Sequence, residues 1–319
     1  MALNLASSFD AMLEIMGDPS QPSDPVSPIG LIGLGLLGQA FGQRLIDAGY
    51  RVLGYDQRDV ATEFAQANAV DDLALACSVI VIAVYSTDQV QELLEGLTPL
   101  SCRDRTLIVA TTLDPGRVCA LQAKAQQGGW GFVEFPVSGT SEQVRQGQAL
   151  GLASGEAGLI ADHRNLLEAL TPNIVILEGA GAAARAKLAI NLVLEINRAA
   201  LAEGLVLARA MGLDPAVFGS ALPQSAAYSA VMDAKLGKIL AQDFSPQAKI
   251  RQSLKDIELI MAQGAGARQP LPLAQTICAL LQDCVASGEG DWDSIAVIRA
   301  HDRLGQSEPG SLQQSVPYC

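Results

Sequence analysis

The amino-acid sequence predicts an α/β N-terminal domain with a Rossmann-like, doubly wound sheet, followed by an all-α C-terminal domain. A glycine-rich turn follows an apolar run near residue 30, short apolar runs alternate with helical stretches as far as residue 173, and alanine- and leucine-rich stretches follow Gly181. Alternating strands and helices are typical of a parallel sheet with both faces covered. We therefore expect a dinucleotide-binding domain over residues 28–180 and a helical substrate and dimerisation domain over residues 181–305.

The glycine turn has the form of a dinucleotide-binding site. The apolar run 28–32 leads into Gly33-Leu34-Gly35-Leu36-Leu37-Gly38, and a helix-like stretch follows over residues 39–47. In such a turn the first glycine permits the tight bend, the second lets backbone N–H groups approach a pyrophosphate, and the third lets the helix start close against the strand. We expect a bound dinucleotide to lie against Gly33, Gly35, Leu36, Leu37 and Gly38.

A second apolar strand, residues 51–55, ends in Asp56. An acid about 20 residues beyond the glycine turn is typical of the group that binds the ribose hydroxyls of NAD. Arg58 leaves NADP open as the alternative, because its guanidinium could pair with a 2′-phosphate if Asp56 turned away. The charge of Asp56 would repel that phosphate, so the sequence favours NAD over NADP.

The remaining elements follow from hydrophobic runs and helical spacing. Fully apolar runs between helices indicate a buried parallel sheet, and we predict its further strands within residues 77–84, 107–110, 131–134 and 149–153. Helical spacing predicts helices over residues 182–211, 215–222, 246–263 and 273–287. The first of these helices is expected to bridge the two domains.

Composition and charge narrow the class of protein. A chain of 319 residues with a formal net charge of −13 would repel nucleic acid and anionic membrane surfaces. No apolar stretch reaches the length of a membrane span, and residues 1–27 do not resemble a secretory signal. We expect a soluble cytoplasmic protein with a flexible lead-in over residues 1–27, a frayed tail over residues 306–319 and mostly buried, reduced cysteines. Two distant histidines make a metal site improbable.

Lys187 and Asn191 are the first candidates for catalytic side chains. They lie four positions apart in an apolar stretch of the bridging helix, so both project from one face about one turn apart. A lysine near the start of a helix can also be a surface residue whose stem lies along apolar neighbours. In the functional interpretation Lys187 faces a cleft between the domains, where its ammonium protonates or polarises a carbonyl while Asn191 orients it.

The turn after the strand at residues 131–134 is a candidate anion site. It reads Glu134-Phe135-Pro136-Val137-Ser138-Gly139-Thr140, with two hydroxyls around a glycine. Successive backbone N–H groups and the hydroxyls of Ser138 and Thr140 could form a concave site for a carboxylate. Such a sequence is also compatible with an ordinary turn.

The order of these segments resembles the β-hydroxyacid dehydrogenase family, which includes 3-hydroxyisobutyrate dehydrogenase and tartronate semialdehyde reductase. The resemblance runs from about residue 29 to residue 296. Five segments carry it: the glycine turn at 33–38, the substrate segment at 132–155, the catalytic segment at 186–191, the Lys255-Asp256 element at 255–259 and a closing segment at 290–295. The presence of all five segments in this order is far more specific for the family than any one segment.

The resemblance implies roles for individual residues. Lys187 would be the catalytic acid and base, Asn191 would bind the substrate, and Ser138, Gly139 and Thr140 would hold its carboxylate. Phe135, which stands where the family has alanine, would lie near that carboxylate. The residues that the resemblance places beside the cofactor are Val84, Tyr85, Thr112 and Lys255. Thr112 could otherwise be a turn hydroxyl, and Lys255 a helix-surface charge paired with a neighbouring acid.

These features together predict an NAD(P)-dependent oxidoreductase that interconverts a small 3-hydroxy acid and its semialdehyde. The departures from the family pattern include Glu134, Thr140, Ile190 and the pair Tyr85-Ser86, so the substrate is the open part of the prediction. The alternatives are an imine-reductase-like relative, against which Lys187 argues, and a non-catalytic nucleotide-binding module. 6-Phosphogluconate dehydrogenase fits less well, because its helical domain is much longer. The long apolar helix predicts a homodimer or homotetramer.

Overall fold

The computed structural model describes residues 27–97 and 105–306. The predicted tail from residue 307 onward and the lead-in up to residue 26 lie outside the described residues. The strands, in chain order β1 to β9, are Ile29–Ile32, Val52–Tyr55, Ala65–Gln66, Val79–Ile82, Arg105–Val109, Trp130–Glu134, Val137–Ser138, Leu150–Gly155 and Asn173–Ile176. The α-helices, α1 to α13, are Leu36–Asp47, Val70–Ala76, Thr87–Leu97, Val118–Gln127, Ser141–Arg145, Ala157–Asp162, Arg164–Leu170, Ala182–Ala210, Pro215–Ala221, Ala230–Leu240, Ile250–Gly266, Pro272–Ala286 and Val297–Gln306.

The strands form one sheet in the order β3-β2-β1-β4-β5-β6-β8-β7, with β9 paired to β8. Strands β1 to β6 pair in parallel, which confirms the doubly wound prediction for this part of the sheet. The prediction of a wholly parallel sheet is wrong beyond β6, because β8 runs antiparallel to both β6 and β7. The two-residue strand β7 continues in the direction of β6, and the chain reverses over residues 139–149 before it enters β8. A parallel return needs a crossover of a dozen or more residues, which this connection does not supply.

Both faces of the sheet are buried, which explains the continuous apolar runs. Alternate residues of one strand enter different hydrophobic clusters: Val79 and Val81 pack on one side of β4, and Ile80 and Ile82 on the other. A strand covered on both faces needs apolar side chains at every position. The sequence signal for the inner strands is therefore a continuous run of apolar residues rather than an alternation of apolar and polar ones.

Helix α8 belongs to both domains. It begins after Gly181, whose φ of 74° lies in the left-handed region that favours glycine. Ala184 in its first turn packs into a sheet-side cluster, whereas Leu188 and Leu201 pack into the helical core. The predicted bridging helix is confirmed, and it lies against strands β7 and β8.

Two helices of the C-terminal part are absent from the sequence prediction. Helix α10 buries Lys235 at the centre of its inner face, where the side chain is only 2% exposed. A lysine at this position interrupts the pattern of apolar residues by which the helix could be recognised in the sequence. Helix α13 is short and polar, and buries little beyond Val297, Ile298 and Ala300. Periodicity detects a helix by its apolar face, and both faces are too narrow or interrupted to be recognised.

Within the described residues, no helix is long and apolar enough to cross a membrane. Of the described cysteines, Cys77, Cys278 and Cys284 are buried free thiols and Cys119 is an exposed one. Burial raises the pKa of Cys77 and of Cys284 to about 12. These two thiols are therefore packing groups rather than nucleophiles.

Candidate active site

The glycine turn forms a cradle in which side chains cannot be accommodated. A Cβ on Gly33 would lie 2.5 Å from the carbonyl oxygen of Ala83, and one on Gly38 would lie 1.8 Å from the carbonyl oxygen of Gly33. A Cβ on Gly35 would meet nothing within 4 Å. Helix α1 starts directly after Gly35 and receives no side-chain cap. Open space in front of uncapped helix N–H groups fits the pyrophosphate of a dinucleotide.

Asp56 lies at the end of β2, beside this cradle. One of its carboxylate oxygens accepts a hydrogen bond from the Leu34 N–H at 2.8 Å, so the acid is tied to the glycine turn. The Arg58 guanidinium forms two hydrogen bonds of 3.0 Å with the same carboxylate. Partial burial raises the pKa of Asp56, but these hydrogen bonds outweigh it and hold that pKa below its usual value. Asp56 is therefore an anion at neutral pH, and Arg58 is turned onto it.

The loop after β4 lies at the point where the strand order reverses. In open α/β sheets, ligands bind at this point, beyond the carboxyl ends of the strands. Thr111, which follows β5, accepts a hydrogen bond from the Val84 N–H and donates one to the Val84 carbonyl, both at 3.1 Å. Thr111 thereby fixes the loop that carries Val84 and Tyr85. The sequence predicted its buried neighbour Thr112 as the residue beside the cofactor, and did not predict this role of Thr111.

Tyr85 connects the cofactor side to the helical domain. Its hydroxyl donates to the Arg251 carbonyl at 2.9 Å, and its own carbonyl accepts from Lys255 Nζ at 3.0 Å. Lys255 Nζ also lies 5.3 Å from the centroid of the Tyr85 ring, within range of a cation–π interaction. Lys255 pairs with Asp256 at 3.0 Å as well. Lys255 is thus paired with the neighbouring acid, and its role beside the cofactor stays a prediction.

Lys187 is buried in α8, with 7% of its surface exposed. The pKa of Lys187 is lowered to about 8, chiefly by burial. The charges of Arg198 and Lys255 contribute to this lowering, whereas those of Asp256 and Glu195 oppose it. A lysine whose stem merely lies along the surface would be solvated and would keep its ordinary pKa. Lys187 can therefore exist in both its charged and its neutral form near neutral pH.

Asn191 is buried one turn after Lys187. Its side-chain N–H donates to Asp256 Oδ2 at 2.8 Å, and its Oδ1 has no hydrogen-bond partner among the described residues. Asp256 is also buried and lies on α11. The sequence predicted Lys255 as a residue of the cofactor site, and did not predict a site role for its neighbour Asp256.

A buried polar stripe continues along the same face of α8. Beyond Lys187 and Asn191 it comprises Glu195 and Arg198, which form an ion pair of 2.6 Å. Arg198 also contacts Ser253 of α11 at 3.4 Å. The helical spacing from Lys187 to Arg198 was the signal in the sequence that could have identified this stripe.

The predicted substrate segment includes strand β7, which lies against helix α8. Ser138 ends the short strand β7 and is half-buried, and Gly139 has a φ of 150° that favours glycine. A Cβ at Gly139 would also lie 2.8 Å from the Ala149 side chain. Thr140 caps helix α5, because its hydroxyl accepts from the Gln143 N–H at 3.2 Å. Its hydroxyl proton remains available to an anion.

Phe135 lies in the core rather than on the wall of the cleft. Its side chain is fully buried, and its ring lies so close to Gly151 that a Cβ there would be 2.4 Å away. This position does not support our expectation of a direct contact between Phe135 and a substrate. The ring supports the substrate segment from beneath, across β8.

Glu134 joins the substrate segment to helix α8. Its carboxylate is buried and accepts hydrogen bonds from Ser154 Oγ at 2.6 Å, from the Gly181 N–H at 2.7 Å and from the Ala184 N–H at 3.1 Å. A carboxylate at the N-terminus of a helix satisfies free N–H groups and complements the helix dipole. Since Lys187 follows within one turn, Glu134 fixes the start of α8, and with it Lys187, against the end of β6.

Two protein-family descriptions match the chain. Residues 28–179 match the family described as the NAD binding domain of 6-phosphogluconate dehydrogenase. Residues 181–301 match the family described as NAD-binding of NADP-dependent 3-hydroxyisobutyrate dehydrogenase. The two matches together cover residues 28–179 and 181–301. The chain belongs to the β-hydroxyacid dehydrogenase family, whose members are NAD(P)-dependent oxidoreductases.

Two relatives are metabolic enzymes. The chain is 26% identical to 2-hydroxy-3-oxopropionate reductase of Escherichia coli, over 84% of its own length and 94% of the relative. It is 27% identical to L-threonate dehydrogenase of Cupriavidus necator, over 83% of its length and 93% of the relative.

A third relative and a solved structure complete the comparison. The chain is 28% identical to the cytokine-like nuclear factor N-PAC of Pongo abelii, over 84% of its length and half of that protein. The crystal structure of a 3-hydroxyisobutyrate dehydrogenase from Salmonella typhimurium superimposes with a TM-score of 0.78 at 23% identity, over 85% of this chain and 98% of that one. At that identity the superposition shows a shared fold.

Proposed function

We propose that the protein interconverts a small 3-hydroxy acid and its semialdehyde, with Lys187 as general acid and base. The observation that carries this proposal is the burial of Lys187 with a pKa lowered to about 8. A group that titrates near working pH can both take and give a proton. Asn191 on the same helix face and the turn at Ser138 supply polar contacts for the rest of a small carboxylate.

In the oxidation direction neutral Lys187 takes the proton of the substrate hydroxyl while a hydride leaves the carbinol carbon. In the reduction direction the Lys187 ammonium donates a proton to the carbonyl oxygen. A bound nicotinamide supplies the hydride acceptor or donor. Ser138, Gly139 and Thr140 hold the carboxylate and so fix the reacting carbon, which contributes to the rate through positioning.

For the cofactor we propose NAD rather than NADP. Asp56 is ionised and tied to the glycine turn by the Leu34 N–H, so a 2′-phosphate would meet a negative charge. Arg58 is already paired with Asp56 by two hydrogen bonds. NADP would require Asp56 to turn away and Arg58 to exchange its partner.

The test is turnover of the purified protein with NAD or NADP and a panel of small 3-hydroxy acids and semialdehydes, followed by the absorbance of the reduced nicotinamide. The panel should include 2-hydroxy-3-oxopropionate and threonate, since relatives are named for them. We expect Lys187→Ala to lower turnover by more than about 100-fold with cofactor binding intact, because general acid–base catalysis is worth that much. Lys124→Ala is the matched control, since Lys124 lies on α4, in the predicted dinucleotide domain, and pairs with Glu95.

The other candidate is a nucleotide-binding module without catalysis, which the likeness to the nuclear factor N-PAC keeps open. Such a module would bind the dinucleotide with no turnover on any substrate, and Lys187→Ala would change nothing. The lowered pKa of Lys187 supports the enzyme instead, since a binding module gains nothing from a buried amine that can lose its proton.

A further inference from the structure

Asp256 is held from three sides in the seam between α8 and α11. Its Oδ2 accepts the Asn191 amide at 2.8 Å, and its Oδ1 accepts Gln252 Nε2 at 3.2 Å and Lys255 Nζ at 3.0 Å. The residue is 5% exposed. A carboxylate that is paired with a lysine and held by two amide groups has a fixed orientation.

This arrangement decides which end of the Asn191 amide faces the site. An ionised carboxylate is only an acceptor, so the amide must turn its NH2 group toward Asp256. Its oxygen therefore points elsewhere, and in the described part of the chain that buried oxygen meets no donor. Buried acceptors are almost always satisfied, so a donor must reach Asn191 Oδ1 in the working enzyme.

The Lys187 amine is the donor that lies on the same helix face, one turn earlier. Hydrogen bonds between catalytic groups are often long in a ligand-free site and shorten when substrate binds. We propose that Asp256 is a positioning residue: it fixes the Asn191 amide so that Asn191 Oδ1 accepts an N–H of Lys187, which points the lone pair of the neutral amine at the substrate hydroxyl. This inference rests on the proposed role of Lys187.

The electrostatics give the proposal a separate readout. The charged groups that act on Lys187 are Asp256 and Lys255 from α11, and Glu195 and Arg198 from its own helix. Strands β7 and β8, which pack against α8, carry no titratable side chain. Because the Asp256 charge raises the pKa of Lys187, its removal lowers that pKa and also leaves Lys255 without its counter-charge.

The experiment compares Asp256→Asn, Asp256→Glu and Glu258→Gln in the full-length protein. Glu258 is exposed on the same helix and serves as the control. The readouts are kcat and KM against pH, cofactor affinity, and the titration of Lys187 in protein labelled at the lysine Cε, followed by NMR and assigned with Lys187→Arg.

For Asp256→Asn we expect kcat to fall more than about tenfold, with cofactor affinity within about twofold of the wild type, because an interaction of the reacting groups is lost. The amide at this position can present either end to Asn191, so the orientation of Asn191 is no longer fixed. The Lys187 titration moves to lower pH. Asp256→Glu restores the charge and the titration, but its displaced carboxylate leaves kcat low. Glu258→Gln changes neither.

A wild-type kcat in Asp256→Asn would overturn the proposal, and so would a loss of kcat with an unmoved Lys187 titration, which indicates a merely structural role. Failure of the proposed function is a different result. If the wild-type protein turns over no substrate, the NMR titration still reports whether Asp256 acts on Lys187.

Discussion

At the scale of the residue, burial is what separates Lys187 from an ordinary surface lysine. Its lowered pKa sets a pH dependence of opposite sign in the two directions. Oxidation needs the neutral amine, so kcat/KM for the hydroxy acid should rise with pH and level off above about 8. Reduction needs the ammonium, so it should fall as the pH rises through the same value. Initial rates in both directions across this range check the prediction, and parallel profiles would contradict it.

Cofactor choice also depends on single residues. Asp56→Asn removes the charge that repels a 2′-phosphate, so we expect the ratio of NAD to NADP efficiency to fall by at least about tenfold. Arg58→Ala removes a group that is paired with Asp56, and should leave turnover with NAD nearly unchanged. Steady-state kinetics with both cofactors decide the matter. A wild type that prefers NADP, and loses that preference in Arg58→Ala, would reverse our assignment.

At the scale of the element, Glu134 at the end of β6 accepts hydrogen bonds from the start of helix α8. Glu134→Gln keeps the volume but places an NH2 group against the N–H groups that the carboxylate now satisfies. We expect the free energy of unfolding to fall by about 1–3 kcal/mol, the usual cost of an unsatisfied buried group, and kcat/KM to fall with it.

Urea denaturation and turnover measure the two effects of Glu134→Gln. Glu142→Gln is the control, since Glu142 is an exposed acid of the neighbouring helix α5. Equal stability of Glu134→Gln and the wild type would show that the helix start is held by other contacts.

The elements that could be predicted were those with a local signal. The glycine turn, the inner strands and helix α8 are each encoded by adjacent residues, and all were found. Strand β7 and helix α10 depend on distant partners instead: β7 exists because it pairs with β8, and Lys235 is buried because both oxygens of Asp293 accept its protons at 2.8 Å. Asp256 and Glu134 were missed as site residues for the same reason, since the contacts that join them to Gly181, Ala184 and Asn191 span at least 47 positions of the chain.

At the scale of the whole molecule, the candidate site lies where the sheet and the C-terminal helices meet. The glycine turn lies on the sheet side, Lys187 and Asp256 lie on α8 and α11, and hydrogen bonds of Tyr85 with Arg251 and Lys255 connect the two sides. General rules for α/β proteins predict that a cofactor binds at the carboxyl edge of the sheet. They do not predict the junction, because no pattern in the sequence shows which helix of the second domain faces that edge.

The surface away from this junction predicts self-association. Val193 and Leu207 lie exposed on α8, Met211 caps the end of that helix, and Val217 follows on helix α9. Their exposed fractions run from 57% to 69%. Large apolar side chains that are this exposed are a basis for association, and a second copy of the chain can cover them symmetrically.

We therefore expect a homodimer or homotetramer, with a mass by light scattering that is a multiple of 33.3 kDa. A charge among these side chains cannot be buried without a partner, so Leu207→Asp should reduce the assembly to monomers. Leu75→Asp is the matched control, because Leu75 is 70% exposed on the dinucleotide domain, far along the chain from α8. Its assembly should be unchanged. A monomeric wild type, or a Leu207→Asp variant that keeps the wild-type mass, would show that this face is not an interface.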